Sequence, residues 1–214
     1  MFSFTDLIFL VVVIVIVVAV VLIVINRFFP VNIQVTKTPE SVLKGVDQET
    51  LWKALNIQIV KLHDTGQYDA AIEVAEEALK AATEIYGPNN SQTAISMNNL
   101  AAIYQGQGRL PEAEELYKKA MVIWEKSAGK NSYEVASCLN NLADVYLSQQ
   151  KYKDSETFYK LAFTILENLY GKEHPNLITV MENMVELYKK TASTGKATIL
   201  EEKIRLIKAK AGKK

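Results

Sequence analysis

The chain has 214 residues, with 24 basic and 24 acidic side chains and a formal net charge of zero. That balance lacks the electrostatic footprint of a nucleic-acid binder. A single cysteine, Cys138, excludes an intrachain disulfide and fits a reducing compartment, and two histidines, His63 and His174, are too few for the common zinc sites or for an acid–base cluster.

Residues 1–6 form a short tail without Lys or Arg. Leu7 to Ile25 follows as an apolar run of about 19 residues with no charge, Gly or Pro, long enough as a helix to cross a hydrocarbon core. The run is long for a signal peptide and no small-x-small cleavage site precedes Asn26, so a retained transmembrane helix over 7–25 is the expectation. Phe28 and Phe29 suit the bilayer interface, and Pro30 ends the helix. Arg27, Lys37 and Lys44 after the span place the rest of the chain on the cytoplasmic side, and its simple architecture favours a bacterial inner membrane over an organelle.

Residues 26–46, with Pro30, Pro39 and Gly45, read as a linker. Asp47 is a predicted helix N-cap, followed by an apolar series at helical spacing, Leu51, Leu55, Ile59 and Leu62. From there a block recurs every 42 residues: Asn98-Asn99-Leu100-Ala101 returns as Asn140-Asn141-Leu142-Ala143, and Tyr104, Tyr117 and Ala120 return as Tyr146, Tyr159 and Ala162. The spacing reaches back to Asn56 and Ala78, and Gly87, Gly129 and Gly171 punctuate the unit ends. Internal repetition of this kind predicts an all-α solenoid of antiparallel helix pairs. The array spans 47–190, with units near 51–92, 93–134 and 135–176 and a partial fourth from 177. In the second unit Gln92–Gln107 and a helix from Pro111 to Gly129 make the pair, and in the third Glu134–Ser148 and Tyr152–Leu169 do so. Residues 191–214 read as a capping helix and a basic tail, gathering Lys196, Lys203, Arg205, Lys208, Lys210, Lys213 and Lys214. A solvated face is the preferred meaning of that run, and contact with anionic lipid or an acidic partner is the alternative.

The pattern Leu139-Asn140-Asn141-Leu142-Ala143, Tyr146, Tyr152, Glu156, Tyr159, Ala162, Ile165 and Gly171-Lys172-Glu173-His174-Pro175 resembles a tetratricopeptide repeat of the longer, kinesin-light-chain type. Residues Leu51 to Tyr188 carry the resemblance. It implies that the first helix of each pair lines a concave groove and that the first Asn of each pair faces it. The candidate peptide-binding residues are therefore Asn56, Asn98, Asn99, Asn140, Asn141 and Asp144, with His63, Gln105 and Leu147 as neighbours that would give specificity. A ladder of side-chain amides offers donors and acceptors to the backbone of an extended segment. The same amides could instead fix the angle between units, and the residues leave both readings open. Proteins of this family that hold a chaperone tail use a Lys, Asn and Arg arrangement on this face; here Asn56, Val60 and Asn99 stand at the clamp positions of the first two units and Ser137 and Asn141 stand where basic residues would be needed, so the resemblance implies that the clamp is absent.

No catalytic residue, metal site or cofactor is expected. Cys138 reads as a packing residue, Gly195-Lys196 lacks the upstream Gly of a phosphate loop, and Glu76-Glu77 and Glu114-Glu115 read as solvated helix faces. The favoured function is a membrane-anchored scaffold that binds a protein or peptide segment in its groove, with the lipid bilayer contacted through Leu7 to Ile25. The alternative is an accessory subunit packed through its transmembrane helix and outer surfaces. Self-association is a further option, because a short array leaves exposed helix pairs at its ends.

Overall fold

The computed structural model describes residues 47–211. The apolar run Leu7–Ile25, the linker 26–46 and the lysines Lys213 and Lys214 lie outside the described residues, and among the described residues no helix is long and apolar enough to cross a membrane. The described residues are all-α, with eight α-helices and one 3-10 turn. Their contacts divide them into two units, the first ending at Gly87 and the second starting at Pro88.

In the first unit, α1 (Gln48–Asp64) pairs with α2 (Tyr68–Tyr86). Asp47 caps α1 by accepting from the Thr50 amide at 3.0 Å and from the Thr50 hydroxyl, and these bonds hold its carboxyl below the usual range. The buried stripe of α1 runs through Trp52, Leu55 and Ile59, whereas Leu51 and Leu62 of the expected series are only half-buried. At 100° per residue, positions 52, 55 and 59 share a stripe, and Leu51 falls on its edge. Opposite it α2 buries Ala71, Val74, Ala75, Ala78 and Ala82. These small side chains admit the Trp52 indole, whose ring meets Tyr86 edge-on at 5.5 Å.

The second unit contains α3 (Ser91–Gly106), α4 (Leu110–Ser127), α5 (Tyr133–Ser148), α6 (Tyr152–Tyr170), a 3-10 turn (Pro175–Leu177), α7 (Ile178–Lys190) and α8 (Thr194–Ala211). Helices pair as α3 with α4, α5 with α6 and α7 with α8, and the second helix of each pair packs on the first helix of the next. Ala101, Ala113, Ala120, Ala143, Ala162 and Ser155 are fully buried where helices approach, and Tyr117 and Tyr159 fill the larger gaps beside them. Burial of one large apolar side chain contributes about 1.5–3 kcal/mol. The repeated Ala positions set how closely the pairs can approach.

The turn within each pair has one fixed geometry. Gly66, Gly108, Gln150 and Ala192, each 42 positions from the last, have φ of 70°, 82°, 59° and 53°. In every case the next amide closes a six-residue ring onto the preceding helix, as Gln67 to Leu62, Arg109 to Tyr104, Lys151 to Tyr146 and Ser193 to Tyr188, at 2.8–2.9 Å. Two of the four positions thus carry a side chain in the left-handed region, at a cost that glycine avoids. Gln150→Gly is expected to stabilise the chain by up to about 1 kcal/mol, read as a higher midpoint in urea unfolding.

The basic run is not a solvated face without partners. Lys189 pairs with Glu201 at 2.7 Å, Lys196 with Glu156 at 3.0 Å, Lys203 with Glu167 at 3.4 Å, Lys208 with Glu182 at 2.7 Å and Lys210 with Glu173 at 2.6 Å. The acids lie on α6, the α6–α7 connection, α7 and α8, so the complement to this basic segment is supplied by the chain itself. Exposed pairs of this kind contribute only about 0–1 kcal/mol each. The apolar residues Ala197, Ile204 and Ile207 are buried and hold α8 in place.

Candidate functional site

The first helices α3, α5 and α7 are neighbours in the second unit, and their asparagines join them. The Asn141 side-chain amide donates to Asn98 Oδ1 at 3.1 Å, and that of Asn183 donates to Asn140 Oδ1 at 3.1 Å. Both bonds link the first Asn of one unit to the second Asn position of the next, 43 residues on. Asn183 also donates to Asp144 Oδ2 at 3.3 Å, Asn140 donates to the same oxygen at 3.4 Å, and Tyr159 donates its hydroxyl to Asp144 Oδ1. Asn98, Asn140, Asn141 and Asp144 are therefore brought together with Asn183, a residue the sequence reading left out. The line 99, 141, 183 points to it, and the partial fourth unit keeps Asn at that position.

Asn56 belongs to the first unit, where its amide donates to the Trp52 carbonyl at 2.8 Å, and Asn99 is half-buried on α3. The expected specificity neighbours need correction. Leu147 is buried, at 6% exposure, so it packs inward. Gln105 accepts the Tyr117 hydroxyl at 3.0 Å, which ties α3 to its own partner α4. His63 belongs to the first unit, with its ring 6.0 Å from that of Tyr68.

Amide bonding between units does not exhaust these groups. Asn98 Nδ2, Asn141 Oδ1 and Asn183 Oδ1 have no hydrogen-bond partner among the described residues and are not buried. One donor and two acceptors thus stay available along α3, α5 and α7. On α5 and α7 lies a cavity of about 230 Å³, lined by the buried Ala136, Leu166 and Val180 and, toward solvent, by Ser137, Asn140, Pro175, Asn176 and Thr179. Tyr133, half exposed at 50%, stands at its edge.

Asp144 is the unusual charge of this face. Burial, opposed by the Tyr159 hydrogen bond and reinforced by nearby Glu186, raises its carboxyl to about 6. Among the described residues no Lys, Arg or His forms an ion pair with it. The same carboxylate and burial push the Tyr159 and Tyr117 phenols up, with burial the larger cause in both.

A second row of bonds joins the second helix of one pair to the first helix of the next and overturns the reading of Glu114 as a solvated residue. Glu114 Oε1 accepts from the Tyr146 hydroxyl at 3.1 Å and Oε2 from Gln149 at 3.2 Å, while Lys118 pairs with it at 2.6 Å. One unit later Glu156 accepts from Tyr188 at 3.1 Å and pairs with Lys160 at 2.8 Å and Lys196 at 3.0 Å. Tyr146 and Tyr188 are thus tyrosines that reach along the array, and Tyr117 and Tyr159 bond within their own pairs. Glu115, with 66% of its side chain exposed, does face water. Cys138 is fully buried, and burial pushes its thiol up to about 12, which leaves it inert as a nucleophile at neutral pH. His174 Nδ1 caps the 3-10 turn by accepting from the Asn176 amide at 3.1 Å, and its ring stacks on Tyr170 at 4.8 Å. Among the described residues no three His, Cys, Asp or Glu side chains gather in a way that could hold a metal ion.

Among solved structures, BtubC (BKLC) from P. vanneervenii matches with a TM-score of 0.66 at 26% identity, over 78% of this chain and 66% of that one. The nearly identical TPR-like repeats of a Podosopora anserina putative kinesin light chain give 0.65 at 17%, over 82% and 84%. Aspartyl phosphate phosphatase F from Bacillus subtilis gives 0.69 at 19%, over 81% of this chain and 44% of its own length, and these last two likenesses concern the fold alone. The chain thus spans 66% of the length of BtubC and less than half of the phosphatase. A search of curated proteins gives no match. The family model described as Tetratricopeptide repeat matches residues 54–126, 94–168 and 134–205, and with its helix pairs, its recurring turn and its two rows of bonds between units, the chain belongs to the tetratricopeptide repeat family.

Proposed function

We propose that this protein is a non-catalytic, membrane-anchored scaffold that holds an extended segment of a partner protein along α3, α5 and α7. A retained helix at Leu7–Ile25 would confine that face to the bilayer surface, on the cytoplasmic side, and raise the local concentration of any partner that also touches the membrane. The observation that carries the reading is the unused amide atoms of Asn98, Asn141 and Asn183 beside the cavity at Ser137 and Thr179. A polypeptide backbone presents alternating donors and acceptors, and side-chain amides can match either.

Asn98→Ala would be an ambiguous probe, because it also removes the bond from Asn141. Ser137→Trp fills the mouth of the cavity without touching that bond. The full chain, isolated from its membrane after mild crosslinking, is expected to lose one partner selectively when Ser137 becomes Trp, with helicity unchanged. A second reading, the accessory subunit, is favoured by Ile199 and Leu206, which stand 71% and 51% exposed one above the other on α8. If Ser137→Trp keeps every partner and Leu206→Arg loses one, packing through outer surfaces replaces groove binding.

A further inference from the structure

The cavity and Asp144 are next-door features of one helix. Asn140 lines the cavity and Asp144 follows four residues later on α5, which sets the two about 6 Å apart along the axis. Alternate side chains of an extended segment are about 6.6–6.8 Å apart and point to the same side. A chain laid along α5 can therefore place one side chain in the cavity and the next but one over Asp144.

The chemistry of the two places differs. The cavity floor is Ala136, Leu166 and Val180, and its volume of about 230 Å³ exceeds the ~150 Å³ of an engineered cavity that takes up benzene. It suits a Leu, Met or Phe side chain. Asp144 receives three neutral donors, from Tyr159, Asn140 and Asn183, whereas a carboxylate has about four lone-pair sites. Its charge has no ion-pair partner among the described residues, and Glu186 on α7, whose charge acts on it, is of the same sign and is paired with Lys190 at 3.0 Å. A cationic side chain supplied by a ligand would fill the remaining site and neutralise the charge.

We infer that this face selects an extended segment in which an apolar side chain is followed two residues later by Arg or Lys, the first seated in the cavity and the second on Asp144. This rests on the groove reading above and gives it a specificity.

The probes are fluorescein-labelled 12-residue peptides of Gly and Ser with Leu-Ser-Arg, Leu-Ser-Glu or Ser-Ser-Arg at the centre, titrated against the full chain in detergent micelles and read by anisotropy. The Leu-Ser-Arg peptide is expected to bind at least about tenfold tighter than either of the others, as one buried apolar group or one charged hydrogen bond gives. Asp144→Asn should erase the preference for Arg over Glu and keep that for Leu over Ser, and Thr179→Trp, at the cavity mouth, should do the reverse. Circular dichroism checks that both variants remain folded. Binding of Leu-Ser-Arg should weaken about tenfold between pH 7.5 and 5 in the natural chain, as Asp144 with its carboxyl near 6 takes up a proton. The groups facing Asp144 are Tyr117 of α4, Tyr159 of α6 and Glu186 of α7, and the tyrosines, with their phenols raised, do not titrate in that window. Equal binding of the Arg and Glu peptides, or a preference that survives Asp144→Asn, overturns the specificity and leaves groove capture standing. No binding by any of the three overturns the specificity, and the partner recovered with the Ser137→Trp comparison then decides groove capture separately.

Discussion

Tyr159→Ala is expected to cost about 3–5 kcal/mol, enough to leave a large part of a typical domain unfolded at physiological temperature. The ring is fully buried between α5 and α6, and its removal leaves a cavity that the flanking Ala162 and Ser155 are too small to fill. Tyr159→Phe isolates the hydroxyl. It keeps the ring and takes one of three donors from Asp144, a loss of about 1.5–3 kcal/mol for a bond to a charged group. The pH dependence identifies the cause. Asp144 has its carboxyl raised to about 6 in the folded chain, so between its ordinary value and 6 the folded state binds the proton more tightly and gains stability as pH falls. The Tyr159 hydrogen bond favours the ionised form, and without it the carboxyl rises further. The deficit of Tyr159→Phe should therefore be larger at pH 7.5 than at pH 5 in urea unfolding. A deficit that does not change with pH would show that the contribution of the hydroxyl does not depend on the ionisation of Asp144.

Glu114→Ala should cost about 1–3 kcal/mol although the position looks like surface in the sequence, because it strands the Tyr146 hydroxyl and the Gln149 amide. A double-mutant cycle with Tyr146→Phe should show a coupling of about 0.5–3 kcal/mol between two residues 32 positions apart. Here the sign with pH is opposite to that of Asp144. Burial of Glu114 opposes ionisation, but the hydrogen bonds from Lys118, Gln149 and Tyr146 outweigh it and hold the carboxyl below the usual range. Lys160 first, and Lys196 second, take Glu156 down to about 2. Carboxyls lowered in this way add stability above their unfolded values, and the addition disappears as pH falls through the folded ones. Acid unfolding of the natural chain below about pH 4.5 should thus be shallower in Glu156→Gln, which has no such proton to take up.

The period of 42, the helix pairs and the Ala positions were legible because they depend on residue type at fixed spacing, and packing at close approach tolerates little else. The turn was legible only in part. Gly66 and Gly108 announce a left-handed residue, while Gln150 and Ala192 hold the same conformation with side chains that do not advertise it. The site was less legible still. Glu114 reads like Glu115 until the Tyr146 hydroxyl, brought from the next pair, picks one of them out. Whether an Asn bonds its neighbouring helix or a ligand depends on which amide atom points where, and the structure gives both answers: Asn98 uses its oxygen toward Asn141 and leaves its nitrogen open. Asn183 keeps its place in the fourth unit, but its bonds to Asn140 and Asp144 depend on which helices lie side by side, and so do the counter-charges of the basic helix, which sit on Glu156, Glu167, Glu173 and Glu182, well upstream of it.

The bonds between units join a residue to one a fixed 43 or 32 positions later, with donor and acceptor drawn from the same repeated template. A copied unit of full length would arrive with its own Asn, Tyr and Glu already in place and would make both rows of bonds with the units before and after it. Loss or gain of a single residue inside a helix rotates everything beyond it by about 100° and breaks both rows at once. Gene duplication can therefore lengthen such an array in one step, whereas small insertions are confined to the turns, and length should vary between descendants of this chain in whole units.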